Sequence, residues 1–291
     1  MLLKLRWLAF RLLLILTVVL GFLYVIQDRL LYLPEKYSLD FLNAEAARLN
    51  LRLWPSAADY RGLLAEPGHS VRGTALVVHG NAGSALDRGF YLKPLLSRGY
   101  RIILLEYPGY GPRKGKLRER ALAEDLRQSI GLVRQQFGEP LVLIGESLGC
   151  GVAAAAMAGL EEPVAGLILL TPWDNLPNVA QSIYWFLPVK LLVRDQYNSV
   201  ANLRQARQPV AVMLAGKDEV IPAKCSRRLL EALPQPKKMW VIPGASHNSW
   251  PELVDFRWWT EVLEFVHPAG RKADDRPAGN IPAPPDHIPR G

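Results

Sequence analysis

A chain of 291 residues, 49% of them hydrophobic, is long enough for one substantial α/β domain with a sizeable core, or for two small domains. Part of its formal net charge of +8 sits in the first eleven residues and part in the C-terminal tail. No basic–aromatic pattern accompanies that charge, so nucleic acid is set aside as a partner and lipid headgroups remain as the anionic surface. The two cysteines, Cys150 and Cys225, are too few for a disulfide framework and read as small core residues.

In chain order, the first element is an apolar run. Leu12 to Ile26 carries no charge, and extending it back through Trp7 gives roughly the 20 residues that a spanning helix needs, with Arg11 as its one charge. Lys4, Arg6 and Arg11 lie at its N-terminal side, which by the positive-inside rule keeps the N-terminus in the cytoplasm and sends the domain across to an extracytoplasmic, periplasmic location. Tyr24-Val25-Ile26-Gln27-Asp28 is a poor cleavage site, so the run reads as an uncleaved signal anchor rather than a removed signal peptide. No polar face interrupts it, which weakens the alternative of a buried soluble helix. The chain therefore divides into an anchor over 1–30, a connecting segment over 31–58, a folded domain over 59–267 and a disordered, Pro-rich tail over 268–291.

Within the domain, strand-like apolar runs alternate with helix-period segments, the pattern of a mostly parallel sheet covered on both faces. Thr74–Val78 ends in His79-Gly80-Asn81-Ala82-Gly83-Ser84, and Arg101–Leu105 ends in Glu106-Tyr107-Pro108-Gly109-Tyr110-Gly111. Leu122, Leu126, Ile130, Val133 and Phe137 then mark an amphipathic helix closed by Gly138. Leu141–Ile144 delivers Gly145-Glu146-Ser147-Leu148-Gly149, followed by a helix of small residues from Cys150. Further strands are expected at Gly166–Leu170, Pro209–Ala215 and Lys237–Ile242, and a final helix from Trp250 to Phe265.

The G-x-S-x-G pentapeptide sits between strand and helix, the setting that gives the motif a mechanism: a serine lifted onto a sharp turn, with tiny neighbours two residues away on either side. Ser147 is the candidate nucleophile, and a serine hydroxyl needs an adjacent base. Of the five histidines, His69 lies in an early loop on the wrong side of the sheet, and His267 and His287 border or sit within the tail. His79 is expected to bond backbone near the turn that it begins. His247, in a loop directly after the last strand, is left as the base. For the acid that orients it, Asp218 follows the preceding strand; Glu219 should point elsewhere, and Asp174 competes from an earlier strand end, where it would shape the mouth of an acyl pocket. The backbone N–H of Leu148 and that of Asn81, with the Asn81 amide as a further donor, would serve a developing oxyanion. The HGNAGS turn is no phosphate loop, because no G-K-[ST] follows.

Taken together, HGNAGS, EYPGYG, GESLG, GKDEVIP and GASHN resemble, in this order, motifs of the α/β-hydrolase superfamily. More narrowly they look like a membrane-anchored subgroup that includes proteins similar to lipid-processing hydrolases and protein depalmitoylases. The resemblance covers about residue 59 to residue 266. It implies an eight-stranded, mostly parallel sheet and cofactor-free hydrolysis of apolar acyl esters or thioesters, with Ser147 as nucleophile, His247 as base, Asp218 as acid, and Asn81 and Leu148 as oxyanion donors. The segment between Leu170 and Pro209 departs from family lipases in being too short for a large lid, which suggests a shallow apolar groove under Trp173 and Tyr184–Leu187. A peptidase or amidase built on the same triad, and a non-catalytic scaffold on a hydrolase fold, are the alternatives.

Overall fold

The computed structural model describes residues 2–138 and 140–269. Of the 268–291 tail, everything from residue 270 lies outside the described residues. Helix α1 (Leu2–Leu31) has no buried residue and is long and apolar enough to cross a membrane. It leads into a two-residue strand, β1 (Leu33–Pro34), then α2 (Leu39–Arg48), β2 (Arg52–Pro55), β3 (Tyr60–Ala65) and β4 (Gly73–Val78). Strand β5 (Ala82–Gly83) pairs in parallel with β1. Next come α3 (Leu92–Leu96), β6 (Tyr100–Leu105), α4 (Glu119–Phe137), β7 (Leu141–Glu146), α5 (Leu148–Met157) and β8 (Gly166–Leu170). A short cap follows, consisting of α6 (Leu176–Ile183), a 3-10 turn at Val189–Leu191 and α7 (Ser199–Leu203). The chain then runs through β9 (Val210–Ala215), α8 (Ala223–Ala232), β10 (Lys237–Ile242), α9 (Trp250–Leu253) and α10 (Phe256–Val266).

Eight strands form one sheet in the order β2-β3-β6-β4-β7-β8-β9-β10, antiparallel only where β3 meets β2 and β6. The central strands are apolar on both faces because both are covered. Leu76, Val78 and Leu143 pack into one core with α4 and α5, whereas the alternating Ala75, Val77, Val142 and Ile144 pack into a second core with α3 and α10. The sheet starts earlier than residue 59. Trp54 of β2 is fully buried and Leu42 of α2 joins the second core, so much of the segment 31–58 that reads as a connector is part of the fold.

The last helix also differs from its expectation. The stripe from Trp250 to Phe265 breaks at Val254, and Asp255 starts a new helix by accepting a hydrogen bond from the Trp258 N–H (2.8 Å). At the end of α10, His267, the last residue of the expected domain, is buried, with Nδ1 2.7 Å from the Tyr100 hydroxyl. Burial, assisted by the Arg72 guanidinium, pushes the His267 pKa down, and burial pushes Tyr100 up to about 12. In the window between the lowered folded value and the ordinary unfolded one near 6.5, the unfolded chain binds the extra proton, so stability rises with pH there. Thermal unfolding followed between pH 7 and pH 5 should show a loss of stability toward the acid side that is smaller in His267→Asn. Equal slopes for both proteins would remove His267 from the explanation.

Candidate active site

The turn from β7 into α5 holds Ser147 at φ 51° and ψ −111°, a left-handed conformation that a residue with a Cβ adopts at a cost of about 1–3 kcal/mol. The packing that enforces it is backbone on backbone. A Cβ at Gly149 would lie 2.1 Å from the Val78 carbonyl oxygen, and one at Gly145 would lie 2.7 Å from the Gly149 carbonyl oxygen. Two glycines therefore let strand and helix close around the serine. Cys150 is buried under the turn with Sγ directed at the Gly145 and Leu170 carbonyls, and burial pushes its thiol pKa well up. Cys225 is likewise buried, its pKa raised by desolvation and by nearby Asp174. Both are inert core thiols, as their sequence setting suggests.

His247 reaches Ser147 from the loop after β10, with Nε2 3.0 Å from Oγ. On its other side, Nδ1 lies 2.9 and 3.0 Å from the two Asp218 carboxylate oxygens. With the Nδ1–H donated to Asp218, Nε2 is the free lone pair that accepts the serine proton; this tautomer is assigned from the hydrogen-bond network. Asp218 is held in place because its Oδ1 also accepts the backbone N–H groups of Val220 (2.9 Å) and Ile221 (2.7 Å). Glu219 does not turn away from the site. Its carboxylate accepts the His247 backbone N–H at 3.1 Å, so neighbouring acids hold both the ring and the main chain of one histidine. Asp174 does not reach His247; it pairs with Arg228 at 3.1 Å and accepts from the Asn178 amide at 2.6 Å.

Leu148 opens helix α5, so its N–H has no carbonyl one turn back within the helix. Asn81 sits on the turn after β4, beside Gly80, where an added Cβ would come within 3.7 Å of the Ser147 Cβ. The Asn81 amide is already committed. Its Nδ2 donates to the Leu31 carbonyl (3.1 Å), while the main-chain carbonyl of Asn81 accepts from the Leu33 N–H (3.0 Å) and the Tyr110 hydroxyl (2.7 Å). The amide thus braces the turn against the end of α1, and the Asn81 main-chain N–H is the candidate oxyanion donor.

The EYPGYG segment has a role that sequence reasoning missed. Glu106 is fully buried, accepts from the Tyr37 hydroxyl (2.9 Å) and lies 3.1 Å from His79 Nε2. His79 Nδ1 bonds the Gly80 carbonyl, while Tyr107 and Tyr110 pack on the imidazole and Tyr107 donates to the His79 carbonyl at 2.6 Å. The segment thus clamps the turn that carries Asn81. Beside the nucleophile, Glu146 pairs with Arg88 at 3.2 Å and accepts from Tyr91, a contact that its place within the pentapeptide does not reveal.

The family model for the alpha/beta hydrolase fold matches residues 75–197, which contain the elbow and the turn after β4. The chain has the α/β-hydrolase fold. An uncharacterized protein of Mycobacterium tuberculosis strain H37Rv is 36% identical to this protein over 185 residues, 62% of the chain, which spans only 65% of that relative's length. The lysophosphatidylserine lipase ABHD12 of Danio rerio is 30% identical over 227 residues, covering 67% of this chain and 59% of the relative. Among solved structures, the ferulic-acid-bound Est1E of Butyrivibrio proteoclasticus superposes with a TM-score of 0.58 at 18% identity, covering 70% of this protein and 94% of Est1E, a likeness of fold.

Proposed function

We propose that the protein is a membrane-anchored serine hydrolase that cleaves apolar acyl esters or thioesters. The observation that carries this reading is the hydrogen-bonded line Asp218–His247–Ser147, assembled from three separate loops at one sheet edge. Ser147 Oγ attacks the acyl carbonyl as His247 Nε2 takes its proton, and Asp218 stabilises the imidazolium. The Leu148 and Asn81 N–H groups hold the tetrahedral oxyanion. His247 then protonates the departing alcohol or thiol, leaving an acyl-Ser147 ester. Water, deprotonated by His247, releases the acid and restores the hydroxyl. The lipase name borne by the Danio rerio relative supports a lipid ester as substrate class.

A fluorophosphonate probe tests the reading directly. The full chain in detergent is expected to label with one probe per molecule at Ser147; no labelling of folded protein would sink the hydrolase and favour a scaffold. The charge flanks of α1 support a cytoplasmic N-terminus and an extracytoplasmic domain. Protease added outside a sealed inner membrane should then digest the domain, and a protected domain would reverse the orientation.

A further inference from the structure

An apolar gap of about 200 Å³ lies between the C-terminal turns of α1 and the cap. Leu23, Leu30 and Leu31 of the anchor form one wall, and Val179, Ile183 and Val189 of the cap form the other. Four polar residues at or beside its edge are tied to partners. Gln27 donates to the Leu192 carbonyl and accepts from the Arg194 N–H, Asp28 pairs with Arg194, and the Tyr32 hydroxyl donates to Asp195. Apart from the tyrosines Tyr24 and Tyr184, the rest of the lining is aliphatic, and such a space holds water poorly. Whole-ligand sites run to about 300–1,000 Å³, so this one suits a single chain of a lipid and excludes the rest of it.

Its depth is set by α1. About 20 helical residues fill the hydrocarbon of a bilayer. With Trp7–Ile26 inside, Gln27, Asp28 and Arg29 sit in the headgroup region. The gap, lined from Leu23 to Leu31, therefore straddles the level where a glycerolipid's chains meet their ester groups. On the same cap Trp185, Phe186 and Leu191 are exposed beside Lys190, a composition suited to that interface and to anionic headgroups. The end of the anchor is also tied to the turn beside the nucleophile, through the Leu31 carbonyl and the Leu33 N–H on Asn81.

We propose that this gap is a lateral port that admits one acyl chain of a bilayer lipid, with the anchor helix as a working wall, so that the ester approaches Ser147 while the chain stays in apolar surroundings. The final clause rests on the hydrolase reading; the port itself does not. The experiment uses the full chain carrying Ser147→Ala in nanodiscs of phosphatidylcholine and phosphatidylglycerol, doped with a phosphatidylcholine that bears a diazirine near the acyl terminus. After irradiation, mass spectrometry should find adducts on the buried Val179 and Val189, reduced at least fivefold by adding Ala180→Phe, which fills the gap. Adducts confined to the outward Phe22 and Val25, or insensitive to Ala180→Phe, would overturn the port. In chains with Ser147 intact, Ala180→Phe should lower the ratio of palmitoyl- to acetyl-ester hydrolysis about tenfold, and an unchanged ratio counts against the port. If neither ester is hydrolysed, the hydrolase reading fails, and the labelling pattern alone still decides the port.

Discussion

Ser147→Ala is expected to lower ester turnover by about 10⁴- to 10⁶-fold, or roughly 5–8 kcal/mol of transition-state stabilisation, while the protein still folds. The loss is large because His247, Asp218 and the two N–H donors act on a bond that only the serine oxygen can form. Asp218→Asn should cost about 10⁴-fold, since an amide facing Nδ1 favours the tautomer that leaves a proton on Nε2. Asp174→Asn is the matched control: its carboxylate faces Arg228 and Asn178, not the imidazole, and its turnover should stay within about threefold of the parent. Steady-state kinetics on a soluble short-chain ester measures all three. A collapse in Asp174→Asn with Asp218→Asn intact would exchange their assignments.

Gly149→Ala should be among the most damaging single substitutions in the domain. The added methyl would lie 2.1 Å from the Val78 carbonyl oxygen and 2.8 Å from that of His79, main-chain atoms of the central strand and the turn that follows it. Neither can move without breaking the pairing of β4 with β7 or displacing the turn that carries Asn81. A cost above about 4 kcal/mol is expected, in the rare upper tail for point changes and a large share of a typical domain's 5–15 kcal/mol. Gly131→Ala provides the contrast. It lies on an exposed face of α4 with no atom within 4 Å of the added carbon, and should gain about 0.5–1 kcal/mol from helix propensity. Urea unfolding of the two variants against the parent gives both signs; a Gly149→Ala midpoint near that of the parent would contradict the tight elbow.

The parallel strands were legible from their apolar runs, the buried Gly166–Leu170 and the half-exposed edge strand Lys237–Ile242 alike. Gly166–Leu170 and Lys237–Ile242 have the bounds expected from their apolar runs, and Leu141–Ile144 is short only by the two residues that enter the elbow. Strand β2 escaped because its four residues only alternate in burial and its pairing with β3 is decided by tertiary contact. The break before Asp255 escaped because the apolar stripe continues through it and the stop is one side-chain cap. At the candidate site, Ser147, His247 and Asp218 could be nominated together because each follows a recognisable strand, and the structure brings them within hydrogen-bonding distance. Glu106 could not be found in that way: its partners His79 and Tyr37 lie 27 and 69 residues away, and nothing local distinguishes a buried glutamate from an exposed one. The contact of the Asn81 amide was hidden for the same reason, since its acceptor is Leu31, 50 residues earlier.

That last contact bears on where the apolar helix could be cut from the domain. Strand β1 and the Leu31 carbonyl are covalently the tail end of the anchor and structurally part of the loop beside the serine. A cut that released a water-soluble fragment anywhere between Leu31 and Pro34 would strip Asn81 of its bracing as it severed the tether. A fragment that begins between Gln27 and Leu30 would keep the Leu31 carbonyl and with it that bracing, whereas one that begins further along the chain would lose it.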